Sequence, residues 1–259
     1  GAMARKPLTL ANWKMAMTVV QSLEFVRALR HTAGDLLQRV DVVLCPPYTA
    51  LWAVAASIRE THLHLGAQDL SPFDELAHTG EISAPLLAEV GCRWALIGHW
   101  EVRRRLGEDE RILARKVQLA LQAGLAPILL VGPAREEQGA LFTILERQLT
   151  QILAACSREQ VSNMAFLFEP EEAIGAPKPW VPERAAAGPA FIRGWLAGQY
   201  GDRLAERVRI LYGGSVTPEH VAGLLAFPDV DGLGVARGGR EVSSLSEIIR
   251  QTAQAKGVE

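Results

Sequence analysis

The feature that most constrains this chain is an alternation repeated from one end to the other: a short apolar run, then a longer segment of helical periodicity. The runs occupy residues 8–12, 40–45, 63–66, 94–98, 127–132, 164–168, 209–212 and 232–235. The helical stretches fall at 22–32, 51–60, 84–89, 108–123, 139–155, 183–200, 219–226 and 245–256. Several runs are apolar at every position, as expected of a parallel strand covered on both faces. Eight βα units without a break in composition predict an α/β chain folded as one closed (β/α)8 barrel over residues 4–259. An open doubly wound sheet is the alternative, but the turn after the first run lacks the G-x-G-x-x-G that such a sheet carries there. There is no linker, low-complexity tract or convincing short repeat.

Composition narrows the partners. The 259 residues are 49% hydrophobic, enough for a substantial core, and the formal net charge of −2 gives no case for nucleic acid or an anionic membrane. No basic cluster is interleaved with aromatic residues, and no apolar run approaches the ~20 residues of a membrane span. No secretory signal is visible at the N-terminus, and Gly1-Ala2-Met3 reads as the remnant of an expression tag. Cys45, Cys92 and Cys156 are odd in number and lack metal-type spacing, which fits reduced, packed thiols in a cytoplasmic protein.

A barrel predicts chemistry at the C-terminal ends of its strands. The run 164–168 leads directly into Glu169 and Pro170. A carboxylate at the edge of a dry core loses solvation and becomes a usable base, although a strand-end acid facing water would look the same in sequence. The other ends decide its significance. The first run finishes in Asn12-Trp13-Lys14 and the fourth in Gly98-His99-Trp100-Glu101; the seventh enters Gly213-Gly214-Ser215 and the eighth Ala236-Arg237-Gly238. An amide, an ammonium, an imidazole, a carboxylate and glycine-rich turns therefore converge on one rim.

Taken with Gly66-Ala67-Gln68, Thr79-Gly80-Glu81-Ile82-Ser83, Ala173-Ile174-Gly175, Tyr212-Gly213-Gly214-Ser215-Val216-Thr217 and Asp229-Val230-Asp231-Gly232, these segments make the chain resemble the triosephosphate isomerase family. They occur in the family's order across nearly the whole chain. The resemblance implies a TIM barrel, a homodimer, a small phosphorylated sugar as substrate, and neither cofactor nor metal. It implies that Glu169 is the base and His99 the neutral electrophile, the division of labour for which this family is the standing example. A helical turn opening after His99 would disfavour imidazolium there. By the same resemblance Lys14 supplies positive charge, Asn12 is an added donor, and Glu101 pairs with Lys14. Gly213, Gly214 and Ser215 would cradle the phosphate, and Gly175 would reach it from a closing lid; Ala236 and Arg237 stand at the family's second phosphate turn, where the arginine would either grip the phosphate or crowd it. Thr79 belongs to the segment that would insert into the partner subunit. Arg103 and Glu108 fit a supporting network behind His99, with a surface ion pair as the plainer reading.

The chain also departs from the family. Trp100 stands where Ser is usual after the histidine, and Glu171-Glu172 stands where the lid's entry is usually Val-Trp. Two acids are not expected to bury the same apolar surface, so closure is expected to be less favourable or differently organised. The lid tip Gly175-Ala176-Pro177-Lys178 is stiffened by its proline, Ala236-Arg237 replaces Gly-Gly, and Pro133 replaces an acid. Arg237 and the Ala-Pro tip also resemble a branch of the family that interconverts L-erythrulose 1-phosphate and D-erythrulose 4-phosphate. The readings left open are thus a three-carbon isomerase, a four-carbon isomerase, and a catalytically weak protein that binds phosphorylated metabolites.

Overall fold

The computed structural model describes residues 4–259; Gly1-Ala2-Met3, read above as a tag remnant, lie outside the described residues. Eight parallel strands close into a barrel: β1 (Leu8–Asn12), β2 (Asp41–Cys45), β3 (His64–Ala67), β4 (Trp94–Ile97), β5 (Ala126–Val131), β6 (Ala165–Phe168), β7 (Ile210–Gly213) and β8 (Leu233–Val235). Closure is made by β1 against β8, with Leu10 opposite Gly234 and Ala11 opposite Val235. Each strand lies within one residue of the run that predicted it.

The runs are apolar throughout because both faces are covered. On β5, Ile128 and Leu130 point into the barrel with Leu10, Leu96 and Leu167, while Leu129 and Val131 face the outer layer. That layer comprises α1 (Val19–Ala33), α2 (Leu51–Ile58), α3 (Ala84–Val90), α4 (Trp100–Leu106), α5 (Glu110–Gln122), α6 (Leu141–Ile152), α7 (Arg158–Ser162), α8 (Pro182–Tyr200), α9 (Asp202–Arg207), α10 (Val221–Leu225) and α11 (Val242–Ala255). All eight expected helical stretches are present. The short helices α7 and α9 are additions, and α4 is a helix in its own right, ended by Gly107 in the left-handed conformation (φ 63°) before Asp109 caps α5.

Cys45 and Cys92 are buried, Cys156 is half-buried, and all three are free thiols. No helix among the described residues is long and apolar enough to cross a membrane. Nor do three or more His, Cys, Asp or Glu side chains come together as a metal site among them.

Candidate active site

The C-terminal rim of the barrel opens into a cavity of about 370 Å³. Asn12, Lys14, His99, Glu169, Gly175, Gly214, Ser215, Ala236 and Arg237 all line it. Of the residues singled out in the sequence, those outside its lining include Gly213, Trp100, Glu101, Thr79, Arg103 and Glu108.

Lys14 is held by its own backbone. It is the only non-glycine residue at positive φ (52°) among the described residues, a conformation that persists only where the surroundings enforce it. Asn12 Oδ1 accepts the Lys14 N–H at 2.9 Å, and Gln68 Nε2 donates to the Lys14 carbonyl at 2.7 Å and to the Cys45 carbonyl at 3.0 Å. This use of the Asn12 oxygen leaves its amide N–H groups as the donors facing the cavity. The Lys14 ammonium meets Glu101 at 3.1 Å, the pairing expected from the sequence.

His99 is the N-cap of α4, and its Nδ1 accepts the Glu101 N–H at 3.0 Å. A ring nitrogen used as an acceptor cannot carry a proton, so the imidazole is neutral with its proton on Nε2. Burial lowers its pKa to about 4, with Lys14 and Arg103 acting in the same direction and Glu101 opposing. Across the cavity, Glu169 Oε1 lies 3.6 Å from His99 Nε2. Burial raises the Glu169 pKa to about 7, against the lowering effect of Lys14. A carboxylate pushed up and an imidazole pushed down, side by side, form a base and a neutral hydrogen-bond donor that both operate near neutral pH.

Gly213 does not line the cavity. A β-carbon there would fall 2.0 Å from Glu169 Oε2, so the glycine leaves room for the base. Gly214 (φ 154°) and Ser215 follow it into the cavity. Arg237 is exposed at the rim and makes no ion pair among the described residues.

Residues 174–177 of the lid lie over the cavity. The two acids at its entry, expected to make closure less favourable or differently organised, sit in different environments. Glu171 is buried because Arg104 on α4 grips it with two donors, Nε at 2.7 Å and Nη2 at 2.5 Å, while the Arg135 N–H adds a third at 2.7 Å. The Arg104 bonds hold the Glu171 carboxyl below its ordinary range despite the opposing desolvation. The Glu171 N–H donates to Pro133 O, at the position where the family carries an acid. Glu172 stays outside and pairs with Arg184 at 3.2 Å. At the far end the Trp180 N–H donates to Tyr212 Oη at 3.2 Å, and Ser215 Oγ donates to Ala173 O at 3.3 Å. Entry and exit are thus fastened by polar contacts, with two acids in place of the family's usual Val-Trp at the entry.

The surface ion pair considered for Arg103 and Glu108 is not what forms. Both side chains are buried, and they do not bridge each other. Arg103 donates to Gly98 O at 2.7 Å and Leu130 O at 2.6 Å, while Glu108 and Asp69 share Lys116 at 2.7 and 2.8 Å. Gly98 (φ 86°) has Arg103 and the Leu130 carbonyl close against it, which leaves little space for a side chain. Thr79 is exposed in the loop after β3 and does not line the cavity. Sequence reasoning missed the roles of Gln68, Lys116 and Arg104. Gln68 closes the matched Gly66-Ala67-Gln68 segment, but only the fold shows what its side chain holds.

The family model described as "Triosephosphate isomerase" matches residues 7–252. A triosephosphate isomerase of Symbiobacterium thermophilum is 40% identical over 255 residues, 97% of this chain and 99% of the relative. One of Chloroflexus aurantiacus is also 40% identical, over 95% of this chain and 98% of its own length. Among solved structures, triosephosphate isomerase of Bartonella henselae superposes with a TM-score of 0.85 at 29% identity, covering 96% of this chain and 99% of that one. With a closed eight-stranded barrel and near full-length similarity, this chain belongs to the triosephosphate isomerase family.

Proposed function

We propose that this chain interconverts dihydroxyacetone phosphate and glyceraldehyde 3-phosphate through an enediolate. The observation that carries this reading is Glu169, a buried carboxylate with its pKa raised to about 7, set 3.6 Å from the Nε2–H of a neutral His99. Glu169 removes a proton from the carbon beside the substrate carbonyl and returns it to the neighbouring carbon. His99 Nε2–H donates to the oxygens on which charge develops; Lys14 and the Asn12 amide add to that stabilisation. The backbone N–H groups around Gly214, Ser215 and Ala236 receive the phosphate, Gly175 approaches it from the lid, and Arg237 adds a guanidinium at the rim.

The test is turnover of dihydroxyacetone phosphate beside L-erythrulose 1-phosphate, with Glu169→Ala as the blank. The expected result is a much higher kcat/KM on the three-carbon substrate. A reversed preference, or rates at the blank level on both, overturns the proposal.

The proposal extends to assembly as a homodimer. Met15 (90% exposed), Tyr48, Leu76 (102% exposed) and Leu86 stand in or beside the segments that follow β1, β2 and β3, three adjacent strands. Large apolar side chains grouped at one sector of a rim mark an interaction surface. Thr79 lies in the same sector and would approach the partner's Lys14 region. Sedimentation equilibrium at micromolar concentration is expected to give twice the chain mass; a fully active monomer would exclude the dimer as the working form.

A further inference from the structure

Trp100, directly after His99 at the start of α4, is unusual for this family, and it is tied to the opposite side of the site. Its indole Nε1 donates to the main-chain carbonyl of Glu169 at 3.2 Å, and both groups are buried. The ring belongs to the interior cluster with Leu96, Leu130 and Leu167, and lid residue Ile174 packs against that cluster. Arg103 lies over the ring at 4.7 Å and is itself fixed by the Gly98 and Leu130 carbonyls, so the indole has a defined orientation.

This bond falls where the chain has little else to secure it. The Glu169 N–H is spent on Val131 O at 3.0 Å, the last rung toward β5. Pro170 follows and has no N–H to offer. The next backbone anchor is Glu171 N–H to Pro133 O, which already belongs to the lid. Between the strand that holds the base and the segment that must move, the indole is the tether at residue 169.

We propose that Trp100 is a positioning residue for the base: its N–H fixes the main chain of Glu169 against lid motion, and its ring keeps water out of the barrel interior behind the carboxylate. The two functions are separable. The hydrogen bond sets the placement of the carboxylate relative to His99; the bulk sets how dry its surroundings are. Trp100 thereby joins electrophile and base through one side chain, a link that a small hydroxyl residue at this position could not span in the same way. The inference rests on Glu169 being the base, and its test is chosen to separate the two.

Trp100→Phe keeps a ring and removes the N–H. It is expected to lower kcat about tenfold, the loss that follows when a positioned group drifts, with affinity for inorganic phosphate within about twofold of the parent. Trp100→Ser admits water, so the Glu169 carboxyl is expected to titrate about one unit lower than in the parent. That titration is read by 13C NMR of labelled glutamate carboxyls, with the Glu169 signal assigned from Glu169→Gln. It requires no turnover, so it stands even if the triose phosphates prove not to be the substrates. An unmoved Glu169 titration in Trp100→Ser, together with parental kcat in Trp100→Phe, reduces Trp100 to core packing and overturns the proposal.

Discussion

Glu169→Gln is expected to lower kcat by about 10³- to 10⁴-fold while leaving the affinity for inorganic phosphate within about threefold, because it removes the proton acceptor and keeps the shape of the side chain. The same substitution is expected to stabilise the fold at alkaline pH. Burial raises the Glu169 pKa from its ordinary value of 4.5 to about 7. Between those values the native state binds more protons than the unfolded state, so stability falls as pH rises through this window. The interval corresponds to roughly 3 kcal/mol of stability, fully present below about pH 4 and lost above about pH 7. Urea unfolding of parent and Glu169→Gln at pH 4.5 and pH 8 reads this directly: the two should coincide at the acid end and diverge at the alkaline end. Parallel pH profiles would mean that Glu169 is not strained by burial, and parental turnover would remove it as the base. Glu169→Asp keeps the charge but lengthens the proton-transfer distance, and should lose turnover far more than phosphate affinity.

Lys116→Met is expected to destabilise the protein by about 3–5 kcal/mol at pH 8, lowering Tm by roughly 10 °C. Lys116 is 1% exposed and is the shared cation of Asp69 and Glu108. Burial raises the pKa of both carboxyls, and Lys116 is the partner that counters this. Without it, two acids face each other in a poorly solvated space and one must take up a proton. The native state then gains protons that the unfolded state has shed, so the deficit grows with rising pH and narrows toward pH 5. Adding Glu108→Gln to Lys116→Met should recover part of the loss, which differential scanning calorimetry at the two pH values would show. Equal destabilisation at pH 5 and pH 8 would refute the electrostatic account. Activity should decline as well, because Asp69 adjoins Gln68, whose amide holds the strained backbone of Lys14.

The polar fastening of the lid shows how a sequence departure can be resolved by position. Glu171 read as one of two acids unable to bury the apolar surface usual at this hinge, so that closure would be less favourable or differently organised. Its burial depends on Arg104, which lies 67 residues away in sequence and on the far side of β5. No local pattern links the two. The same holds for Trp100, whose indole meets a carbonyl 69 residues away, and for Gly213, which reads as part of a phosphate turn yet serves as the space into which the base projects.

The sequence by itself determined the barrel and the identity of the chemistry-bearing side chains. Apolar runs covered on both faces, separated by helical stretches, leave few other closed packings, and a residue at the end of a parallel strand is delivered to the rim by the fold itself. Asn12, Lys14, His99 and Glu169 were legible for that reason. Tertiary structure alone decided their state: which nitrogen of His99 carries the proton, how far burial raises Glu169, what holds Lys14 at positive φ, and which cation allows Glu171 inside. Each of these depends on desolvation and on hydrogen-bond partners brought together from distant parts of the chain, quantities that are set by three-dimensional proximity and have no signature in local sequence.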